Sequence, residues 1–201
     1  MELTNKLKQL IEEIEKLPSI GPKTAERIAL YLLSQDEREF NALINSIVEA
    51  RKNLHLCTIC FNLTDREVCE ICSNPDRDSS IICVVEEVDD LFAIEKTGVY
   101  KGVYHVLHGD IDPINHRGPE NIKLKELLER VNSLSVKEVI LATNPDFNGD
   151  ITATYIAKLI KSVRMNLRIT RIAVGLPKEA EIGFADTVTL STAIKERKEY
   201  R

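Results

Sequence analysis

An α/β chain built from several modules is predicted, on three observations. The first 54 residues carry apolar side chains at helical spacing. Four of the five cysteines fall between Cys57 and Cys72 as two Cys-x-x-Cys pairs. From about residue 79 short apolar runs alternate with helical stretches, the pattern of a largely parallel sheet flanked by helices. The boundaries this gives are 1–54 for a helical hairpin domain, 55–78 for a metal knuckle, 79–174 for the α/β domain and 175–201 for a C-terminal extension.

Taken in order, Leu3, Leu7, Leu10, Ile11, Ile14 and Leu17 form one stripe of an opening helix that stops at Pro18. Pro22 suits the first turn of a second helix, striped by Ala25, Ile28, Ala29 and Leu32. A third carries Phe40, Leu43, Ile44, Ile47 and Val48 on one face. Beyond the cysteines, strands are expected at Ile81–Val85, Gly102–Leu107, Val139–Ala142 and Leu167–Val174. Helices through Leu91 and Ile94, through Leu124, Leu127, Leu128 and Val131, and over Ile151–Val163 separate them.

No run approaches the ~18 uninterrupted apolar residues of a membrane span, and residues 1–17 are too charged for a secretory signal. A cytoplasmic, nucleoid-associated protein without a membrane partner is therefore expected. Net charge is −5, which by itself disfavours a nucleic-acid partner. The layout tempers this, because residues 152–201 hold ten basic against five acidic side chains, so a local DNA-facing surface is permitted.

The cysteines read Cys57-Thr-Ile-Cys60 and, eight residues on, Cys69-Glu-Ile-Cys72. Two such turns supply the four sulfurs of a closed tetrahedral zinc site, which is structural because no position is left for water or substrate. One zinc per chain is expected, with the metal supplying most of the folding free energy of so short a segment. Cys83 stands apart inside an apolar run and reads as a small core residue. His105 and His108 close a strand and read as structural.

The turn Leu17-Pro-Ser-Ile-Gly-Pro-Lys23 joins the first two helices, with Gly21 expected to take backbone angles closed to other residues. The second helix then starts with outward amides, and Lys23 and Arg27 lie one turn apart on one face. Leu17, Ile20, Gly21, Lys23, Ala25 and Ile28 resemble the helix-hairpin-helix motif, which grips phosphates without reading bases. A plain helical hairpin with two solvated cations is the alternative.

On the α/β part, Glu86 follows a strand and Asp90 lies one helical turn on. Asn144-Pro-Asp-Phe-Asn-Gly-Asp150 brings Asp146 and Asp150 to the same edge, where ligands of parallel sheets gather. This pattern resembles the Toprim fold, whose active enzymes hold Mg²⁺ on such carboxylates. Asn148 stands between the two aspartates, so a magnesium site here is weak, and Asp150 is expected to cap the helix that follows.

Hairpin, cysteines and acidic strand ends in this order resemble the RecR family over nearly the whole chain. Cys83-Val-Val-Glu86, Tyr100–Leu107, Ile140-Leu-Ala-Thr-Asn-Pro145, Gly175-Leu-Pro177, Asp186 and Thr189-Leu190 carry the resemblance as well. The resemblance implies a non-enzymatic mediator of recombinational DNA repair. Such a protein works with RecO and RecF to load RecA on gapped or single-stranded DNA coated with SSB, as a homodimer or ring-like homotetramer. It further implies DNA contact at Gly21, Lys23 and Arg27, zinc on the four cysteines, and partner contact at the acidic edge of Glu86, Asp90, Asp146 and Asp150. The chain departs from the family pattern at Asn148, at Glu179-Ala180 where a glycine pair is usual, and at Gly183 where an acid is usual. A Mg²⁺-dependent Toprim nuclease is the alternative from another functional class.

Overall fold

A computed structural model describes residues 4–173, 175, 176, 181–195, 197 and 199. Leu3, Val174, Pro177 and the departure at Glu179-Ala180 lie outside the described residues. The chain divides into two compact units, Met1–Leu54 and His55–Arg201.

The first unit holds three helices, α1 (Asn5–Glu15), α2 (Pro22–Ser34) and α3 (Glu37–Asn53). Helices α1 and α2 pack through Ile14, Ala25 and Ala29, with Leu7, Leu10, Ile11, Ile20, Ile28 and Leu32 around them. Small alanines at the crossing let two short helices approach closely. Asp36 caps α3 by accepting from the Glu39 N–H at 2.8 Å. The apolar stripe on α3 forms as a stripe, yet none of its residues is buried: Leu43, Ile44, Ile47 and Val48 are all exposed in the chain, as are Leu30, Tyr31 and Leu33 of α2.

In the second unit a two-stranded antiparallel ribbon, β1 (His55–Leu56) and β2 (Leu63–Thr64), and a one-turn helix, α4 (Glu70–Ser73), carry the cysteines. The sheet that follows consists of β3 (Asp78–Val85), β4 (Gly102–Val106), β5 (Glu138–Leu141) and β6 (Arg168–Arg171), parallel throughout in the order β4-β3-β5-β6. Helices α5 (Val88–Lys96), α6 (Leu124–Val131) and α7 (Phe147–Val163) connect them, and α8 (Thr187–Lys195) comes last.

Alternation along β3 divides the core. Ile82 and Val84 join Leu127 and Val131 of α6 and Ile156 and Ile160 of α7 in one apolar layer. Cys83 and Val85 point the other way, into a second layer with Leu91 of α5, Tyr104 and Val106, against which Phe61 and Ile71 of the cysteine segment also pack. Burial pushes the Cys83 thiol up to about 12, as suits an inert core residue.

Helix α7 starts one turn earlier than expected, and its cap is Asp146, which accepts from the Gly149 N–H at 2.8 Å. Asp150, expected to cap, lies in the first turn and pairs with Arg171 at 2.6 Å. Either aspartate could start a helix. What decides is Gly149, where a Cβ would stand 2.0 Å from the Asn144 carbonyl oxygen, so only glycine lets the loop fold back to bring Asp146 to the cap.

Candidate zinc centre, hairpin turn and acidic crevice

Around the cysteines, local backbone contacts shape the knuckle before any metal is considered. The Cys57 N–H donates to the Asn62 carbonyl at 2.8 Å and the Phe61 N–H to the Cys57 carbonyl at 3.0 Å. Phe61 takes a positive φ of 64°, which closes the first Cys-x-x-Cys turn. Cys69 stands at the N-cap of α4 and Cys72 inside it, while the Cys69 N–H donates to the Cys57 sulfur at 3.3 Å. Cys57, Cys60 and Cys69 are buried and Cys72 is half-buried.

One ligand atom from each of the four lies within 4.8 Å of the others, and all five cysteines are free of disulfides. Like charges this close oppose one another. Hydrogen bonding with Cys69 is the main cause pushing the Cys60 thiol up to about 12, and Cys72 is pushed up as well, chiefly by Cys60, while the same hydrogen bonds push the Cys69 thiol down, so the free cluster favours one thiolate over four. A divalent cation reverses that preference, so four converging sulfurs with no competing disulfide fit a closed Zn²⁺ site.

The knuckle is seated on the sheet. The Val106 N–H donates to the Cys60 carbonyl at 2.8 Å, and His108 Nε2 donates to the Phe61 carbonyl at 2.7 Å. The Phe61 ring meets the edge of His105 at 5.4 Å between centroids, and Lys123 Nζ lies 5.2 Å from the Phe61 centroid. His105 is wholly buried.

In the first unit the hairpin turn is exposed at Leu17, Pro18, Ser19, Gly21, Pro22, Lys23 and Arg27. Here the structure corrects one expectation. Gly21 is extended, at φ −92° and ψ 169°, and the positive φ of 62° belongs to Ser19. The Ile20 N–H donates to the Leu17 carbonyl at 3.2 Å, so the bend is a turn with Pro18 second and Ser19 third, where that turn type requires positive φ.

Gly21 has a different use. A Cβ built on it would meet nothing within 4 Å, so its face is open, and as the N-cap of α2 it brings no side-chain cap. Its carbonyl accepts from Thr24 and Ala25, Pro22 has no N–H, and among the described residues the Gly21 and Lys23 amides find no acceptor.

At the carboxyl ends of the strands, chain order reverses between β3 and β5, which is where a ligand crevice opens in such sheets. Glu86 and Asn144 face each other across it. The Asn144 N–H donates to Glu86 Oε1 at 3.2 Å and its side-chain amide to Oε2. Asp90 accepts from the Glu87 N–H at 2.9 Å as part of the capping box of α5. With Asp146 capping α7 and Asp150 held by Arg171, each of the four carboxylates already has a donor of its own. Among the described residues the cysteines are the one group of three or more such side chains close enough to share a metal.

Burial raises the pKa of Glu86, offset by the Asn144 hydrogen bonds and reinforced by Asp146 and Asp110. A carboxyl whose folded pKa is raised favours folding in its protonated form. That contribution is complete below the unfolded value of about 4.3 and is lost as pH climbs through the raised folded value. The stability of the wild type relative to Glu86→Gln should therefore fall as pH rises above the ordinary carboxylate range of about 4, as read from denaturant melts at a series of pH values. A gap that widens in favour of the wild type with rising pH would mean that the Asn144 donors outweigh burial.

Comparison with known families agrees with this architecture. Residues 7–51 match the RecR helix-hairpin-helix family, residues 54–74 the RecR four-cysteine zinc finger domain, and residues 80–173 the Toprim domain. A protein of Carboxydothermus hydrogenoformans named Recombination protein RecR is 50% identical over 190 residues, which cover 94% of either chain. The zinc-finger match names the metal that the four clustered cysteines fit. The helical hairpin, the four-cysteine segment, the Toprim domain and nearly the full length thus agree, and the chain belongs to the RecR family of recombination proteins.

Proposed function

We propose that this RecR-family protein is a DNA-binding mediator of recombinational repair, acting with RecO and RecF to load RecA on SSB-coated gapped or single-stranded DNA. The observation that carries the proposal is the exposed turn before α2, with two amides lacking acceptors among the described residues, an open face at Gly21, and Lys23 and Arg27 one helical turn apart. Helix N-termini of this form bind phosphate whatever the base sequence. The task is assembly and not catalysis, in keeping with four acidic-edge carboxylates that are each already bonded. That edge, Glu86, Asp90, Asp146 and Asp150, is assigned to partner contact. The exposed apolar faces of α2 and α3 favour a homodimer or ring-like homotetramer, which would multiply weak grips on DNA through multivalency. The working domain boundaries are 1–54, 55–78, 79–174 and 175–201, in a cytoplasmic protein found at the nucleoid. No described helix is long and apolar enough to cross a membrane.

Gly21→Ala tests the proposal with little disturbance of the fold. The backbone angles suit alanine and the space is empty, so stability should fall by no more than about 1 kcal/mol, the cost of a poorer N-cap. A methyl group at the point of closest approach should nevertheless lower affinity for single-stranded or gapped DNA about tenfold, measured by fluorescence anisotropy near 0.1 M salt. Unchanged affinity would place the DNA surface elsewhere.

A further inference from the structure

A zinc ion held by four thiolates carries a net charge of −2, and here three of the four sulfur-bearing residues are buried. Removing such an anion from water is costly unless cations lie close to it. Among the described residues Arg66, Lys123 and Arg130 are basic side chains that lie in the knuckle or are joined to it. Arg66 is exposed and turned to Asp65 and Glu70. Lys123 sits over the Phe61 ring and is paired with Glu126 at 3.3 Å. Arg130, in the last turn of α6, is half-buried, and among the described residues no carboxylate pairs with it.

Its guanidinium is nevertheless fixed. Arg130 Nη1 donates to the Tyr104 carbonyl at 2.6 Å and to His105 Nδ1 at 3.1 Å. His105 Nε2 lies 2.6 Å from the Lys123 carbonyl, which can only accept. The imidazole is therefore the neutral tautomer with its proton on Nε2, leaving Nδ1 as the acceptor for Arg130. The same stretch of β4 is joined to the knuckle, through Val106 N–H to the Cys60 carbonyl and through the edge contact of His105 with Phe61.

We infer that Arg130 is the counter-cation of the zinc–thiolate centre, held in place by His105 and the Tyr104 carbonyl, so that α6 stabilises the metal site across the face of β4. Burial lowers the pKa of the guanidinium, and the charges of Cys72, Cys60 and Cys57 act in the opposite direction. Arg130 is a positioning and charge-balancing residue whose hydrogen bonds go to β4 and not to the sulfurs, and its effect falls on metal retention.

Zinc release from the full chain to a chelating dye under native conditions tests this, together with the thiolate-to-metal charge-transfer band of the Co²⁺-substituted protein. Arg130→Met should release zinc tenfold to a hundredfold faster, the usual range for loss of an outer-shell partner, and should move the Co²⁺ band to longer wavelength. Arg130→Lys keeps the charge and should stay within about threefold of the wild type. Leu127→Ala, which opens the same helix's apolar face, should leave the Co²⁺ band in place. Wild-type release from Arg130→Met, or an identical band shift in Leu127→Ala, would overturn the assignment. Should Arg130→Met not fold, Arg130→Lys decides: release more than tenfold faster than the wild type contradicts charge balance, and release within threefold upholds it.

Discussion

Replacing Lys23 and Arg27 together with alanine should weaken binding to single-stranded DNA by roughly 30- to 150-fold at moderate salt, for the loss of two charge-assisted contacts of about 1–1.5 kcal/mol each. Both side chains are exposed and make no ion pair within the described residues, so the fold loses nothing it relies on. The thermal midpoint should stay within a degree or two of the wild type. Salt dependence provides a second signature. Each phosphate contact on a single strand contributes about 0.7 to the slope of log affinity against log salt, so each gripping subunit should lose about 1.4 from that slope. Loss of affinity with an unchanged slope would mean that the pair shapes the turn without neutralising phosphate. A chain with a net charge of −5 repels DNA as a whole and needs a local grip, so removal of that grip should be felt.

The second large effect concerns the metal. Cys60→Ser should abolish stoichiometric zinc, from one ion per chain to less than a tenth by elemental analysis, and should lower the stability of the second unit by about 3 kcal/mol or more. For a unit of this size that corresponds to a fall of roughly 6–12 °C in the thermal midpoint. The cost exceeds the knuckle itself because of how the knuckle is seated. Cys60 offers its carbonyl to the Val106 N–H, and Phe61 and Ile71 cover the layer of Cys83, Val85, Tyr104 and Val106. Unfolding the knuckle uncovers that layer, and each large apolar side chain so exposed forfeits about 1.5–3 kcal/mol. Hydrogen exchange should accordingly speed up at the carboxyl end of β4 as well as in residues 55–74. Exchange confined to the cysteine segment would show the two to be energetically separate.

The parts of this architecture that sequence reveals are those written in short-range pattern. Apolar runs bounded by Glu86 and by Pro145 mark β3 and β5, helical stripes mark α1 and α2, and paired Cys-x-x-Cys turns mark the metal. What escapes the pattern is long-range or competitive. Periodicity identifies the apolar face of α3 but not what covers it, and within the chain that face stays exposed. Two aspartates four residues apart compete for the N-cap of α7, and the choice of Asp146 depends on a backbone approach at Gly149 that composition does not display. A glycine in a tight bend suggests positive φ, yet Pro18 fixes a turn that hands it to Ser19 and leaves Gly21 as an open surface. The partnership of His105 and Arg130 joins residues 25 apart in sequence and has no local signature. At the acidic edge the spacing of carboxylates is visible, but their prior commitment to Asn144, Glu87, Gly149 and Arg171 emerges only in three dimensions.

The most direct measurement is amide chemical-shift perturbation on titrating the ¹⁵N-labelled protein with a short single-stranded oligonucleotide. The Gly21 and Lys23 amides, which lack acceptors among the described residues, should shift most strongly and saturably, accompanied by their α2 neighbours and not by residues 57–72. Shifts that spare Gly21 and Lys23 while DNA is bound would contradict the hairpin turn as the grip on phosphate.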